Sequence, residues 1–175
     1  ENTLTSRPTD IIAGFPVRPG FFELNGATPL SNGVNFTAHT RHGTSCELLL
    51  FHSGEEEPFA VLPFPNACRI GDVYSMIVMG LDIEDLEYGY RIDGPYEPER
   101  GHIFDKTKVL LDPYAKAVAG QREWGQQKIG SYHARVVRDS FDWEDMPQST
   151  RKISDLIIYE LHVRGFTQDS SSGVM

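Results

Sequence analysis

Cationic charge is what this sequence has too little of: 16 Lys and Arg stand against 25 Asp and Glu in 175 residues, a formal net charge of -9. That deficit argues against nucleic acid and against anionic membrane surfaces, since both are held through an excess of Lys and Arg. A neutral or cationic partner is expected instead. Cysteine is nearly absent too. Cys46 and Cys68 lie in unrelated contexts and no CxxC occurs, so no zinc site is expected, and two reduced, partly buried thiols are expected ahead of a bridge between them. No apolar run approaches the ~20 residues that cross a bilayer, and no signal-peptide core precedes the fold. Regular calcium-loop spacing is missing from the acidic stretches "GEEEP" (54–58) and "DIEDLE" (82–87), which read as solvated turns. His39 and His42 have helical spacing inside a strand-and-turn region, which does not suit a metal. No cofactor and no metal are therefore expected. The sequon "NFT" at 35–37 falls within a predicted strand and is discounted. The chain starts at Glu1 rather than Met, which is expected of a processed or cut form.

Amphipathic helix is scarce as well, and short β-patterned runs take its place. Residues 1–15 read as a flexible tail. "GVNFTAHT" (33–40) alternates Val34, Phe36 and Ala38 with Asn35, Thr37 and His39, the period of a half-buried strand. "SCELLLFHS" (45–53) is apolar on both faces and predicts a central strand. "FAVLPF" (59–64), limited by Pro63 and Pro65, predicts an edge strand. "DVYSMIVMGL" (72–81) and "LEYGYRIDG" (86–94) complete the series. This spacing predicts a mainly β fold, an antiparallel, immunoglobulin-like β-sandwich over 16–97. An irregular connector follows over 98–152, in which Pro113 can open a short helix across "YAKAV". Residues 153–175 contain the continuous β-branched and aromatic run "SDLIIYELHVRGFT" (154–167), which suits a parallel strand buried on both faces.

The stretch "YGYRIDGPYEPERGHIFDKTKVLLDPYAKAV" (88–118), then "DSFDWE" (139–144) and "DLIIYELHVRGFT" (155–167), resemble in order and spacing the N-terminal part of isoamylase-type starch and glycogen debranching enzymes. These belong to glycoside hydrolase family 13. The wording of "PGFFELNGATPLSNGVNF" (19–36) is nearer to the plant plastid members. The resemblance implies a family-48 carbohydrate-binding module, a connector, and the first strand of a truncated (β/α)₈ barrel. It implies hydrolysis of α-1,6 branch points in amylopectin or glycogen and an α-glucan partner. A sister isoamylase subunit and a plastid location are implied in the same way. The family's catalytic carboxylates lie on later barrel strands, so none is carried onto this chain. The 175-residue chain alone is expected to be inactive.

Candidate site residues follow from chemistry. Trp124 and Trp143 offer the largest rings for stacking on a pyranose, but both fall beyond the sandwich, where packing between domains is the simpler reading. Tyr88, Tyr90, Arg91, Tyr96 and Tyr114 read as structural groups at the joint between domains, with "LLDPYAKAV" (110–118) as an anchor onto the next domain. Glu160, His162 and Arg164 alternate along the supposed barrel strand and would share one of its faces, as ionic contacts or as a polar layer. Two rivals to the enzyme reading are a self-standing α-glucan-binding or regulatory module and a purely structural sandwich.

Overall fold

The computed structural model describes residues 7–120, 132–138, 142, 144 and 150–173. The chain divides into two compact units, Glu1–Asp139 and Ser140–Met175.

The first unit holds β1 (Asp10–Ile12), β2 (Phe15–Pro19), β3 (Gly26–Pro29), β4 (Gly33–His39), β5 (Ser45–His52), β6 (Ala60–Pro63), β7 (Arg69–Ile70), β8 (Val73–Met79), β9 (Leu86–Asp93), β10 (Tyr96–Glu97), β11 (His102–Ile103), β12 (Ala117–Ala119) and β13 (His133–Arg135). One sheet runs β1-β2-β8-β4-β3, with β7 also on β8, a second runs β12-β13-β9-β5-β6, and β10 pairs with β11 in a two-stranded ribbon. The pairings in both sheets are antiparallel. Phe36, Met76 and Val78 of the first sheet meet Leu48, Leu50, Leu62, Leu86, Tyr88 and Tyr90 of the second in one core. Phe36 and Tyr88 pack edge to face at 5.1 Å across it. The result is the expected antiparallel β-sandwich.

Several local expectations need correction. Residues 10–12 are paired strand rather than tail. β4 is buried on both faces, because Asn35 and Thr37 have protein partners. The Asn35 Oδ1 accepts the Phe21 amide at 2.7 Å, its Nδ2 donates to Thr37 Oγ1 at 3.0 Å, and Thr37 and Ser75 hydroxyls meet at 2.7 Å. Each polar atom is satisfied, so burial costs little. The same burial removes Asn35 from any glycosylating enzyme in the folded protein.

The second sheet also runs past residue 97. β13 pairs with β9 at Glu87 and Tyr88, and where β13 stops, Leu110 exchanges two backbone hydrogen bonds with Tyr90. Gly89 permits this crossing, since a Cβ there would meet Val109 Cγ1 at 2.6 Å. No helix forms at 114–118. Asp112 Oδ1 accepts the Tyr114 amide at 2.8 Å, closing an Asx turn, and the chain leaves it as β12. The "LLDPYAKAV" segment is thus strapped onto the sandwich's own sheet.

In the second unit, residues 156–162 form no strand, and α1 (Val163–Phe166) is a single turn. His162 Nδ1 accepts the Gly165 amide at 3.0 Å and opens that turn. A parallel strand draws its hydrogen bonds from neighbouring strands, and none pairs with this segment among the described residues, so local capping prevails. Ile157 is 97% exposed there. Among the described residues, no helix is long and apolar enough to cross a membrane.

Candidate functional site

At one end of the sandwich, β5 finishes at His52, β6 begins just after Phe59, β9 begins just after Asp85, and β2 begins at Phe15. These four ends bring an aromatic cluster together. The Phe59 ring stacks on the His52 imidazole at 4.4 Å and 28°, and lies tilted 6.2 Å from Phe15. Phe59 is 41% exposed, so part of a ring supported by its neighbours faces solvent.

The polar frame is fixed as firmly. His52 Nδ1 and Asp85 Oδ2 are 2.8 Å apart, and the Ser53 amide donates to Asp85 Oδ1 at 3.0 Å. The Ser53 amide first, and the His52 ring after it, hold the Asp85 carboxyl below its ordinary value. Beneath the turn, Glu87 Oε1 accepts the Gly54 amide at 2.9 Å and the Ser53 hydroxyl at 3.2 Å. Its Oε2 pairs with His133 Nδ1 at 3.0 Å, and the His133 ring stacks on Phe51 at 3.8 Å. Glu87 is therefore a buried brace, not the solvated turn carboxylate that "DIEDLE" suggests. The turn after β5 is held from below and its aromatic rim from the side. An exposed ring can take the CH face of a sugar while the fixed carboxylate nearby accepts hydrogen bonds from the sugar's hydroxyls.

The residues singled out from sequence are placed elsewhere. Tyr88 and Tyr90 sit in the sandwich core, with the Tyr88 hydroxyl donating to Asp112 Oδ2 at 2.8 Å. Arg91 lines a polar cleft with Ser45, Glu47, Asp93, Lys106 and Thr107. Tyr96, on β10, and Tyr114, in the turn after Pro113, are exposed. Glu160, His162 and Arg164 share no strand face, because no strand forms and Arg164 lies in α1. Trp124 and Trp143 lie outside the described residues. Phe59 and His52 escaped notice because they are seven positions apart across "SGEEEP". The usable signal was an aromatic residue closing a polar turn, facing a histidine that opens it.

Cys46 and Cys68 are free and buried. Burial, with a smaller push from Glu47, raises the Cys46 thiol to about 12. Burial, with a smaller push from Asp10, raises Cys68 to about 11. Among the described residues, no group of three or more His, Cys, Asp or Glu is arranged to hold a metal ion.

Residues 25–115 match carbohydrate-binding module 48, described as the isoamylase N-terminal domain. The chain is 36% identical over 174 residues to "Isoamylase SU1, chloroplastic" of Zea mays, covering 93% of this chain and 21% of that protein. It is 35% identical over 156 residues to "Glycogen debranching enzyme" of Salmonella typhi, covering 82% of this chain and 23% of that protein. It thus spans about a fifth of the length of these relatives. The fold is shared with pullulanase type I from Bacillus subtilis str. 168, solved with maltose, at a TM-score of 0.56 and 22% identity over 89% of this chain and 19% of that one.

Proposed function

Because this chain belongs to carbohydrate-binding module 48, the isoamylase N-terminal domain family, we propose that it is the N-terminal part of an isoamylase-type glycoside hydrolase that cleaves α-1,6 branch points of amylopectin or glycogen. The observation that carries this reading is the reach of the similarity. The module accounts for residues 25–115, whereas identity to the maize isoamylase extends over 93% of the chain and so runs well past the module. A self-standing binding module has no use for the apolar run at 156–161, where Ile157, Ile158 and Tyr159 are exposed. Those side chains suit a surface that another part of a larger fold covers.

In this reading the chain supplies contact and support, not bond cleavage. Cleavage needs a proton-donating and a nucleophilic carboxyl on either side of the scissile bond. Asp85, bound to the His52 ring on which Phe59 stacks, has its carboxyl held below its ordinary value. That equips it to accept hydrogen bonds from the hydroxyls of a bound glucan rather than to donate a proton. The Phe59–His52 platform is where the module meets the α-glucan. A plastid location goes with the maize relative, which is named as chloroplastic, while the Salmonella relative belongs to a bacterium. The protein partner that goes with this reading is a sister isoamylase subunit, checked by co-purification.

The test is release of reducing ends from amylopectin. The complete protein that contains this sequence is expected to release them and the 175-residue chain alone to release none. Activity in the isolated chain, or its absence from the complete protein, would overturn the proposal.

A further inference from the structure

At the opposite end of β5 from the Phe59 platform, a second site is formed by the outer face of β5 and β9. Ser45 faces Asp93 and Glu47 faces Arg91 in register, so two cross-strand pairs present four polar side chains on one surface. Lys106 and Thr107 close one side, giving a cleft of about 600 Å³ lined by Ser45, Glu47, Arg91, Asp93, Lys106 and Thr107. That volume lies within the range of small-ligand sites.

The electrostatics narrow the ligand. Arg91 and Lys106 balance Glu47 and Asp93, so the lining carries no net charge. An anion would meet two carboxylates and a cation would meet a guanidinium. A neutral polyol uses both signs at once, since each hydroxyl donates to a carboxylate and accepts from a guanidinium or ammonium. The lining is also under-used internally. Arg91 Nε is buried with no hydrogen-bond partner, and Glu47 and Arg91 form no ion pair although they are opposed in register. Only Lys106 and Asp93 approach each other, at 3.8 Å. Glu47 and Arg91 are therefore not spent on each other, and both line the cleft with hydrogen-bonding capacity for a ligand's hydroxyls.

We propose that this cleft is a second carbohydrate contact of the module, taking the hydroxyls of a neutral α-glucan by hydrogen bonding without ring stacking. The proposal rests on the reading of the chain as a glucan-contacting module. The cleft and the platform lie at opposite ends of β5, roughly 24 Å apart for eight residues of strand. One long chain, or two branches, can engage both.

The experiment follows backbone amide signals of the full 175-residue chain by NMR during titration with maltoheptaose. Signals of Ser45 and Thr107 are expected to shift in the wild type and in Phe59→Ala. Inorganic phosphate is expected to leave them in place. Arg91→Ala should weaken the affinity read at those two amides about tenfold or more, as expected for loss of a hydrogen bond from a charged group, while the shifts around His52 persist. Glu47→Gln, which keeps the side chain's shape, should weaken it in the same sense and guards against a folding defect in the arginine variant. Shifts around His52 with none at Ser45 or Thr107 would overturn the cleft and leave the module reading intact. Silence at both ends would defeat both. A larger response to phosphate than to maltoheptaose would also overturn the proposal.

Discussion

Replacing Tyr88 by Phe removes one oxygen and exposes how the strap after β11 is held. Tyr88 and Asp112 are both buried, and the Tyr88 hydroxyl donates to Asp112 Oδ2 at 2.8 Å. The other carboxylate oxygen accepts the Tyr114 amide at 2.8 Å. Burial raises the Asp112 carboxyl above its ordinary value, while the Tyr114 amide and the Tyr88 hydroxyl pull it back. Without the hydroxyl, a buried carboxylate keeps only its amide donor. A hydrogen bond to a charged group contributes ~1.5–3 kcal/mol, so the expected loss at pH 7 is about 2 kcal/mol. For a chain of this length that is a fall in Tm of roughly 4–8 °C.

The pH dependence gives the argument its sign. A folded-state carboxyl raised above its unfolded value of about 3.9 contributes stability that is full below that value and lost as pH rises through the folded one. Tyr88→Phe raises it further, so the gap from wild type should widen from pH 4 to pH 7. Asp112→Asn removes the buried charge while keeping an acceptor for Tyr114 and should cost less than ~1 kcal/mol at pH 7. Urea unfolding of the three proteins at both pH values is the assay. A Tyr88→Phe protein within ~0.5 kcal/mol of wild type at pH 7 would refute the reasoning. So would an equal gap at both pH values with Asp112→Asn as costly.

Asn35→Leu should cost about 3 kcal/mol in the same assay, because it strands the Phe21 amide and disrupts the Thr37–Ser75 pair in a buried site. Thiol titration with an aromatic disulfide at pH 8 should label neither Cys46 nor Cys68 in the native chain and both after denaturation, since burial raises both thiols well above that pH. Because these folded values exceed the unfolded ones, their contribution to stability is full below about pH 8.5 and is lost as pH rises towards 11–12. Native labelling at pH 8 would count against the packing around either cysteine.

The sandwich was legible because its strands carry their own punctuation. Pro63 and Pro65 mark β6 as an edge, and the two-sided apolar run from Leu48 to Phe51 marks β5 as interior. β4 misled because Asn35 and Thr37 look solvent-facing, whereas their hydrogen bonds are met inside by the loop at Phe21 and by Ser75 of β8. β12 and β13 are three residues each and owe their existence to the unpaired edge of β9, which no local pattern announces. The run at 154–167 reads as strand by composition, yet composition supplies no partner for its backbone. The platform was missed for a related reason. His52, Phe59, Asp85 and Phe15 come from four separate places in the chain and meet only where four strand ends coincide.

The central claim is that the module meets α-glucan through the ring of Phe59 backed by His52. Isothermal titration of maltoheptaose into the wild-type chain and into Phe59→Ala tests it most directly. The account predicts measurable binding by the wild type, weakened about tenfold or more in Phe59→Ala with the fold intact by circular dichroism. No heat with the wild-type chain, or equal affinity in the two proteins, would contradict it.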